Sequence, residues 1–150
     1  MREEEVSNLS IEEKLQNTTE RWTNYIRDLN DKMKDLGSLQ NLMNIVYIKR
    51  QECVEYIGNL DVTFSKLKRA YTIQYAQKYN FYKFQSQLRY SSDAAINTQI
   101  QSDLIDITEK KDLIESHLDT MRETLKTINE IIRAVYQRIE LYKLVNNMKF

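Results

Sequence analysis

Residues 100–147 read IQSDLIDITEKKDLIESHLDTMRETLKTINEIIRAVYQRIELYKLVNN, and this stretch decides the fold. Apolar side chains recur every seven residues along it, in two adjoining rows separated by alternating steps of four and three. The first row holds Ile100, Ile107, Ile114, Met121, Ile128, Val135 and Tyr142, and the second holds Leu104, Lys111, Leu118, Leu125, Ile132, Ile139 and Asn146. A heptad repeat of this length is typical of a coiled coil or helical bundle. We therefore predict an all-α protein with one long helix over residues 94–147.

The residue types in the two rows favour more than two packed helices. The second row corresponds to heptad position a and the first row to position d. Leucine or isoleucine at a with isoleucine at d disfavours a parallel dimer. The neighbouring helices could be the chain's own first helices, copies of itself, or both. We predict a helical-bundle homo-oligomer with these oligomerisation residues: Ile114, Leu118, Met121, Leu125, Ile128, Ile132, Val135 and Ile139.

Upstream of the heptads, the sequence predicts two shorter helices. Ser10-Ile11-Glu12-Glu13 matches a capping box, in which a hydroxyl and a carboxylate satisfy backbone donors at a helix start. Gly37-Ser38 is expected to end the first helix and Gly58-Asn59 the second. Either glycine could instead lie within a longer helix at a cost of about 1 kcal/mol. Residues 1–9 are acidic and lack periodicity, so we predict a flexible tail there.

Residues 60–90 combine aromatic and basic side chains. They hold eight of the fifteen aromatic residues and six basic residues against one acid, so the segment carries +5 and the rest of the chain −5. Helical spacing places Phe64, Leu67, Tyr71, Tyr75, Tyr79 and Tyr82 on one stripe, and Ile73, Phe81, Phe84 and Leu88 on the opposite side. We predict a third, aromatic and basic helix, which either packs on two sides or packs on one side and contacts a ligand on the other.

Two interpretations of this third helix stay open. In the first, the tyrosines belong to the core and the lysines extend over them. In the second, the segment binds single-stranded nucleic acid, because cations hold phosphates and aromatic rings stack on bases. The candidate nucleic-acid-binding residues are Lys66, Lys68, Arg69, Tyr75, Lys78, Tyr79, Tyr82, Lys83 and Arg89. The lack of acids favours the second interpretation, since an ordinary solvated helix mixes charges of both signs.

The sequence predicts neither a catalytic site nor a metal site. His117 is the only histidine and Cys53 the only cysteine, so the usual ligand sets and nucleophile–base pairs cannot be assembled. A glycine-rich phosphate-binding loop is also missing. We therefore expect a protein that is not an enzyme and needs no cofactor. Apolar runs are too short for a membrane span or a signal peptide, so we expect a cytoplasmic protein without a membrane partner.

The C-terminal half follows a distinctive order. Gln85-Ser86-Gln87-Leu88-Arg89-Tyr90-Ser91-Ser92-Asp93 closes the aromatic-basic region before the long helix. That helix ends with Val135-Tyr136-Gln137-Arg138, then Ile139-Glu140-Leu141-Tyr142-Lys143, then Met148-Lys149-Phe150. The order resembles the UvsY family of tailed-phage recombination mediators, whose members similarly close with an apolar-x-x-Arg step, an apolar helical turn and a basic-to-Phe ending.

The resemblance implies a homo-oligomeric ring that binds single-stranded DNA and helps a recombinase replace the single-strand-binding protein, without performing chemistry itself. Residues 10–90 would form the DNA-binding region and residues 91–150 the oligomerisation helix, in the host cytoplasm if the protein is phage-encoded. The alternative is a structural or adaptor coiled coil, such as a virion or scaffold component, which needs only the heptads. A membrane-surface bundle is a third possibility, but the strongly basic amphipathic helix typical of that class is missing.

Overall fold

The computed structural model describes residues 10–87, 90 and 92–147, and all regular structure in this part of the chain is helical. Four helices follow in order: α1 (Ile11–Lys32), α2 (Leu39–Asn80), α3 (Asp93–Asp103) and α4 (Ile105–Asn147). A short 3₁₀ helix, Leu36–Ser38, precedes α2, and a π-helical turn, Phe81–Gln85, ends it. The all-α prediction is confirmed. The predicted acidic tail at residues 1–9 and the candidate Arg89 lie outside the described residues.

Helix α1 begins as its sequence predicts. The Ser10 hydroxyl accepts a hydrogen bond from the backbone N–H of Glu13 at 3.2 Å, and the Glu13 carboxylate accepts one from the Ser10 N–H at 2.8 Å. Its end differs from the prediction, because α1 stops at Lys32 and the Asp35 carboxylate then caps the 3₁₀ helix by accepting from the Gly37 N–H at 3.0 Å. Gly37 keeps a negative φ, so the expected left-handed cap is not used.

Helix α2 runs without interruption through Gly58, so the predicted boundary at Gly58-Asn59 is wrong and the longer-helix alternative holds. The reason is tertiary packing. Cys53 before the glycine and Leu60 after it are both buried, and these contacts outweigh the roughly 1 kcal/mol that glycine costs inside a helix. The second and third predicted helices are therefore one element.

The predicted single helix over residues 94–147 is interrupted at Leu104. That residue takes φ −100° and ψ 18°, and its N–H still donates to the Ile100 carbonyl at 2.9 Å. Leu104 and Ile100 both remain buried across the break. The interruption therefore leaves both of these heptad-row residues in the core.

The chain divides into two compact units. The first unit comprises Met1–Gly58 and His117–Phe150, and the second comprises Asn59–Ser116. Both units therefore draw on residues from either side of the predicted division between residues 90 and 91. The first unit buries Trp22, Leu29, Leu42, Met43, Val46, Cys53, Leu118, Met121, Ile128, Ile131 and Val135. Within the described residues, none of the helices is long and apolar enough to cross a bilayer.

Candidate nucleic-acid interface

The tyrosine stripe of α2 packs inside the second unit. Ile96, Ile100 and Leu104 form the buried cluster there, and the partly buried side chains against it are Tyr71, Tyr75, Tyr79, Tyr82, Tyr90 and Ile107. Three of the candidate DNA-stacking rings, Tyr75, Tyr79 and Tyr82, thus cover the unit's own core. A ring that rests on aliphatic side chains cannot offer that face to a base. This packing agrees with the first interpretation of the aromatic helix, in which the tyrosines belong to the core.

The hydroxyls of these three tyrosines donate hydrogen bonds to acceptors on α3. The Tyr75 hydroxyl donates to Oδ1 of Asn97 at 2.5 Å, and the Tyr79 hydroxyl donates to Oδ1 of Asp93 at 3.3 Å. The Tyr82 hydroxyl donates to the Asp103 carboxylate, and this bond raises the pKa of Tyr82 to about 12.

Two candidate phosphate-binding lysines are paired with the same acids. The Lys78 ammonium lies 3.6 Å from Oδ2 of Asp103, and the Lys83 ammonium lies 3.6 Å from Oδ1 of Asp93. Lys83 also donates to the Tyr79 hydroxyl at 2.9 Å, and that bond, followed by the Asp93 charge, raises the pKa of Lys83. Both acids lie outside residues 60–90, so the positive segment is partly neutralised by the next helix. Residues 59–116 contain eight basic and seven acidic residues, which leaves the second unit close to neutral.

The remaining described cations of the candidate set lie close together on α2. Lys66, Lys68 and Arg69 are exposed, and Lys66 and Arg69 line a surface depression together with Asp61, Val62 and Ser65. The Lys68 ammonium sits 5.3 Å from the centre of the Phe64 ring, a cation–π contact. We name Lys66, Lys68 and Arg69 the cation cluster.

On the exposed side of α2 around the cation cluster, Asp61 is the nearest acid of the helix. Asp and Glu are absent from residues 62–92, and Asp61 at the edge of the depression is half-buried. A local excess of positive charge on an otherwise neutral chain attracts anions over roughly a Debye length, about 8–10 Å at moderate salt. Of the predicted phosphate-binding residues that the structure describes, the cation cluster is the group best placed to act in this way.

Most of the predicted oligomerisation residues are covered by the chain's own helices. Met121, Ile128 and Val135 are fully buried, and Ile114 and Leu118 nearly so. Leu125, Ile132 and Ile139, all from the a row, stay half-buried. In this packing Leu118 and the d-row residues Ile114, Met121, Ile128 and Val135 serve the core of a single chain, whereas Leu125, Ile132 and Ile139 keep surface for another copy.

An exposed apolar surface lies at the C-terminal end of α4. Leu36, Leu141, Tyr142 and Val145 line a depression beside Arg138, whose guanidinium donates to the Met33 carbonyl at 2.6 Å. Leu141 is 62% exposed although it is aliphatic. We name these four apolar residues the α4 apolar surface. Exposed patches of this kind often mark contacts with other proteins.

His117 is buried in the first unit. Its Nε2 lies 2.7 Å from the Tyr56 hydroxyl, and its Nδ1 lies 3.4 Å from the Thr19 hydroxyl, which itself donates to the Leu15 carbonyl at 3.1 Å. These contacts suit a neutral imidazole with its proton on Nδ1. The Nδ1–H group then donates to the Thr19 hydroxyl, and Nε2 accepts from the Tyr56 hydroxyl. Burial lowers the pKa of His117 and so favours the same neutral state.

The other reactive side chain, Cys53, is buried too. Its thiol contacts the Met121 carbonyl at 3.9 Å, and burial raises the pKa of Cys53 to about 11. No group of three or more His, Cys, Asp or Glu side chains within the described ranges is arranged to hold a metal ion.

Sequence reasoning missed Asp93, Asn97 and Asp103 as partners of the tyrosines. A signal was present, since Asp93 and Asn97 are four residues apart on one helical face and ten tyrosines require many acceptors. The second unit therefore presents a cation cluster on an exposed side of α2, which can attract an anionic partner. Comparison of the chain with protein families, curated proteins and solved structures gives no match.

Proposed function

We propose that the protein is a non-enzymatic single-stranded-DNA-binding protein that acts as a recombination mediator, helping a recombinase to replace single-strand-binding protein on DNA. The observation that carries the proposal is the cation cluster on the exposed side of α2, where Asp61 is the nearest acid of the helix. The resemblance to the UvsY family supports the more specific role in recombination.

The strength of binding expected from one chain is modest. If Lys66, Lys68 and Arg69 neutralise three phosphates, the logarithm of the binding constant falls with a slope of about −2 against the logarithm of salt concentration. Raising the salt about fourfold then weakens binding roughly twentyfold. Assembly of several copies would increase the affinity, because each copy adds its own cations to the same strand.

The α4 apolar surface, together with half-buried Leu125, Ile132 and Ile139, supports the homo-oligomer part of the proposal. Leu141 and its neighbours leave water only if another surface covers them, and each fully covered leucine contributes about 1.5–3 kcal/mol. In such an assembly the DNA-binding residues of the copies would act together while the α4 helices hold them in place.

Fluorescence anisotropy with a labelled single-stranded oligonucleotide tests the proposal. Replacing Lys66, Lys68 and Arg69 together with alanine should abolish most of the affinity and reduce the salt slope to near zero. The matched control replaces Arg27, Lys32 and Lys34, three exposed cations of the first unit, and should change binding little. A wild-type protein that shows no binding at low salt would refute the DNA-binding function.

The second candidate function is a structural or adaptor coiled-coil protein, and the α4 apolar surface is the observation that favours it. This function predicts a defined assembly that forms without nucleic acid and does not bind it. Light scattering with and without an oligonucleotide separates the two candidates, because it reports the mass of the assembly and any bound DNA in one measurement.

A further inference from the structure

Phe84 has an environment that folding alone does not explain. Within the described part of the chain it is the most exposed of the large apolar side chains, at 73%. Burying a phenylalanine ring contributes about 1.5–3 kcal/mol to stability, and the exposed ring of Phe84 does not make this contribution. The ring sits on the π-helical turn Phe81–Gln85, and π-helical turns occur frequently at functional sites.

Phe84, on the turn that ends α2, follows the side of α2 that carries Lys66 and Arg69. Val62, Lys66, Arg69, Ile73, Asn80 and Phe84 follow one another at steps of three, four or seven residues, and all six are exposed. Such steps keep side chains on one face of a helix. Arg69 and Phe84 are separated along this face by about 22 Å at about 1.5 Å per residue.

We propose that this face is the path of a single DNA strand, with phosphates bound at Lys66 and Arg69 and a base stacked on the Phe84 ring. The inference rests on the proposed DNA-binding function and gives the stacking role to Phe84 in place of Tyr75, Tyr79 and Tyr82. At the stacked spacing of about 3.4 Å per phosphate, a strand that contacts both ends covers about seven nucleotides, within the range known for single-strand-binding surfaces.

Charge complementarity favours a nucleic acid over a second copy of the chain. A symmetric contact between two copies of this face would bring like cations together, with half-buried Asp61 as the nearest acid of α2 to compensate them. A nucleic acid strand supplies both groups that the face needs, an anion for Lys66 and Arg69 and a flat ring for Phe84.

Anisotropy titrations with two oligonucleotides of equal length test the inference, one with normal bases and one with abasic residues throughout. Phe84→Ala should weaken binding to the normal strand about fivefold to a hundred and fifty-fold and leave binding to the abasic strand unchanged. Lys66→Ala should weaken both equally. Phe84→Leu should behave as Phe84→Ala, because it keeps an apolar side chain but removes the ring. Phe84→Trp should bind the normal strand as tightly as the wild type does. Quenching of the new tryptophan's fluorescence should report this binding.

Tyr47 supplies the matched control, because it is an aromatic residue of the first unit that is 54% exposed. Tyr47→Ala should leave both titrations unchanged. Circular dichroism should show the same helicity in every variant, since none of the changes removes a buried side chain. If the wild type binds DNA and Phe84→Ala binds both strands as tightly, the strand path is wrong while the DNA-binding function stands. If the wild type binds neither strand, both ideas are refuted. A Phe84→Ala variant that instead loses self-association would show that the face joins protein copies.

Discussion

Truncation of Ile128 is the sharpest test of how the heptad rows are used. Ile128 is fully buried in the first unit, whereas Ile132, four residues later, is half-buried. Ile128→Ala removes three carbon atoms at about 0.8 kcal/mol each and leaves a cavity, so the unfolding free energy should fall by about 2–5 kcal/mol. Ile132→Ala should cost about half as much or less, because part of its side chain already contacts water.

Urea denaturation followed by tryptophan fluorescence measures this difference. Trp22 is the only tryptophan and is buried in the same unit, so its emission reports the unfolding of that unit. With a urea dependence of about 1–3 kcal/mol per molar, the midpoint for Ile128→Ala should drop by about 0.7 M or more. The drop should be the same at two protein concentrations about tenfold apart, since Ile128 packs within one chain. A loss below about 1 kcal/mol, or an equal loss for both variants, would refute the assignment of the d row to the chain's own core.

Three further predictions follow from single residues. Gly58→Ala should stabilise the protein by about 0.5–1 kcal/mol in thermal or urea unfolding. The helix is continuous at this position, and an added Cβ meets nothing within 4 Å. A loss of stability would contradict this prediction. Cys53 should resist thiol reagents in the native protein at about pH 8 and react once urea unfolds it, because burial raises its pKa to about 11; rapid native labelling would be inconsistent with the core. The free energy of unfolding should decline as pH falls below about 6.5, because His117 takes up a proton in the unfolded chain, whereas burial disfavours the protonated ring in the folded one. The difference in melting temperature between the wild type and His117→Leu should therefore shrink in acid. A difference that stays the same at every pH would disprove this origin.

Local sequence rules predicted the parts of the fold that depend on local contacts. The capping box at Ser10 forms as predicted, and at the start of α3 the Ser92 hydroxyl accepts from the Ala95 N–H at 3.2 Å. The d row is buried from Ile114 to Val135, because seven-residue spacing keeps side chains on one helical face whichever partner covers them. The rule specifies the face and leaves the partner open, so the sequence did not decide between another copy and the chain's own α1 and α2.

Features that depend on contacts between distant residues were not predictable in this way. The basic excess of residues 60–90 is reduced by Asp93 and Asp103, and only the folded chain brings these acids to Lys83 and Lys78. The same contacts turn the tyrosine stripe inward and leave Phe84 on the outer side. Charge counted along a segment therefore overestimates the charge that the segment presents to a ligand.

The two units differ in how far apart in the chain their contacting residues lie, and this has a consequence for folding order. In the second unit the hydrogen bonds from Tyr75, Tyr79 and Tyr82 join residues only 14–22 positions apart. In the first unit the bonds at Tyr56, Arg50 and Thr19 join residues 61, 79 and 98 positions apart. Closing longer loops costs more entropy, so the second unit can form early. During synthesis, the first unit cannot complete its core until α4 leaves the ribosome. Trp22 and Leu29 are therefore more open to chaperones and to aggregation during that interval than in the folded protein.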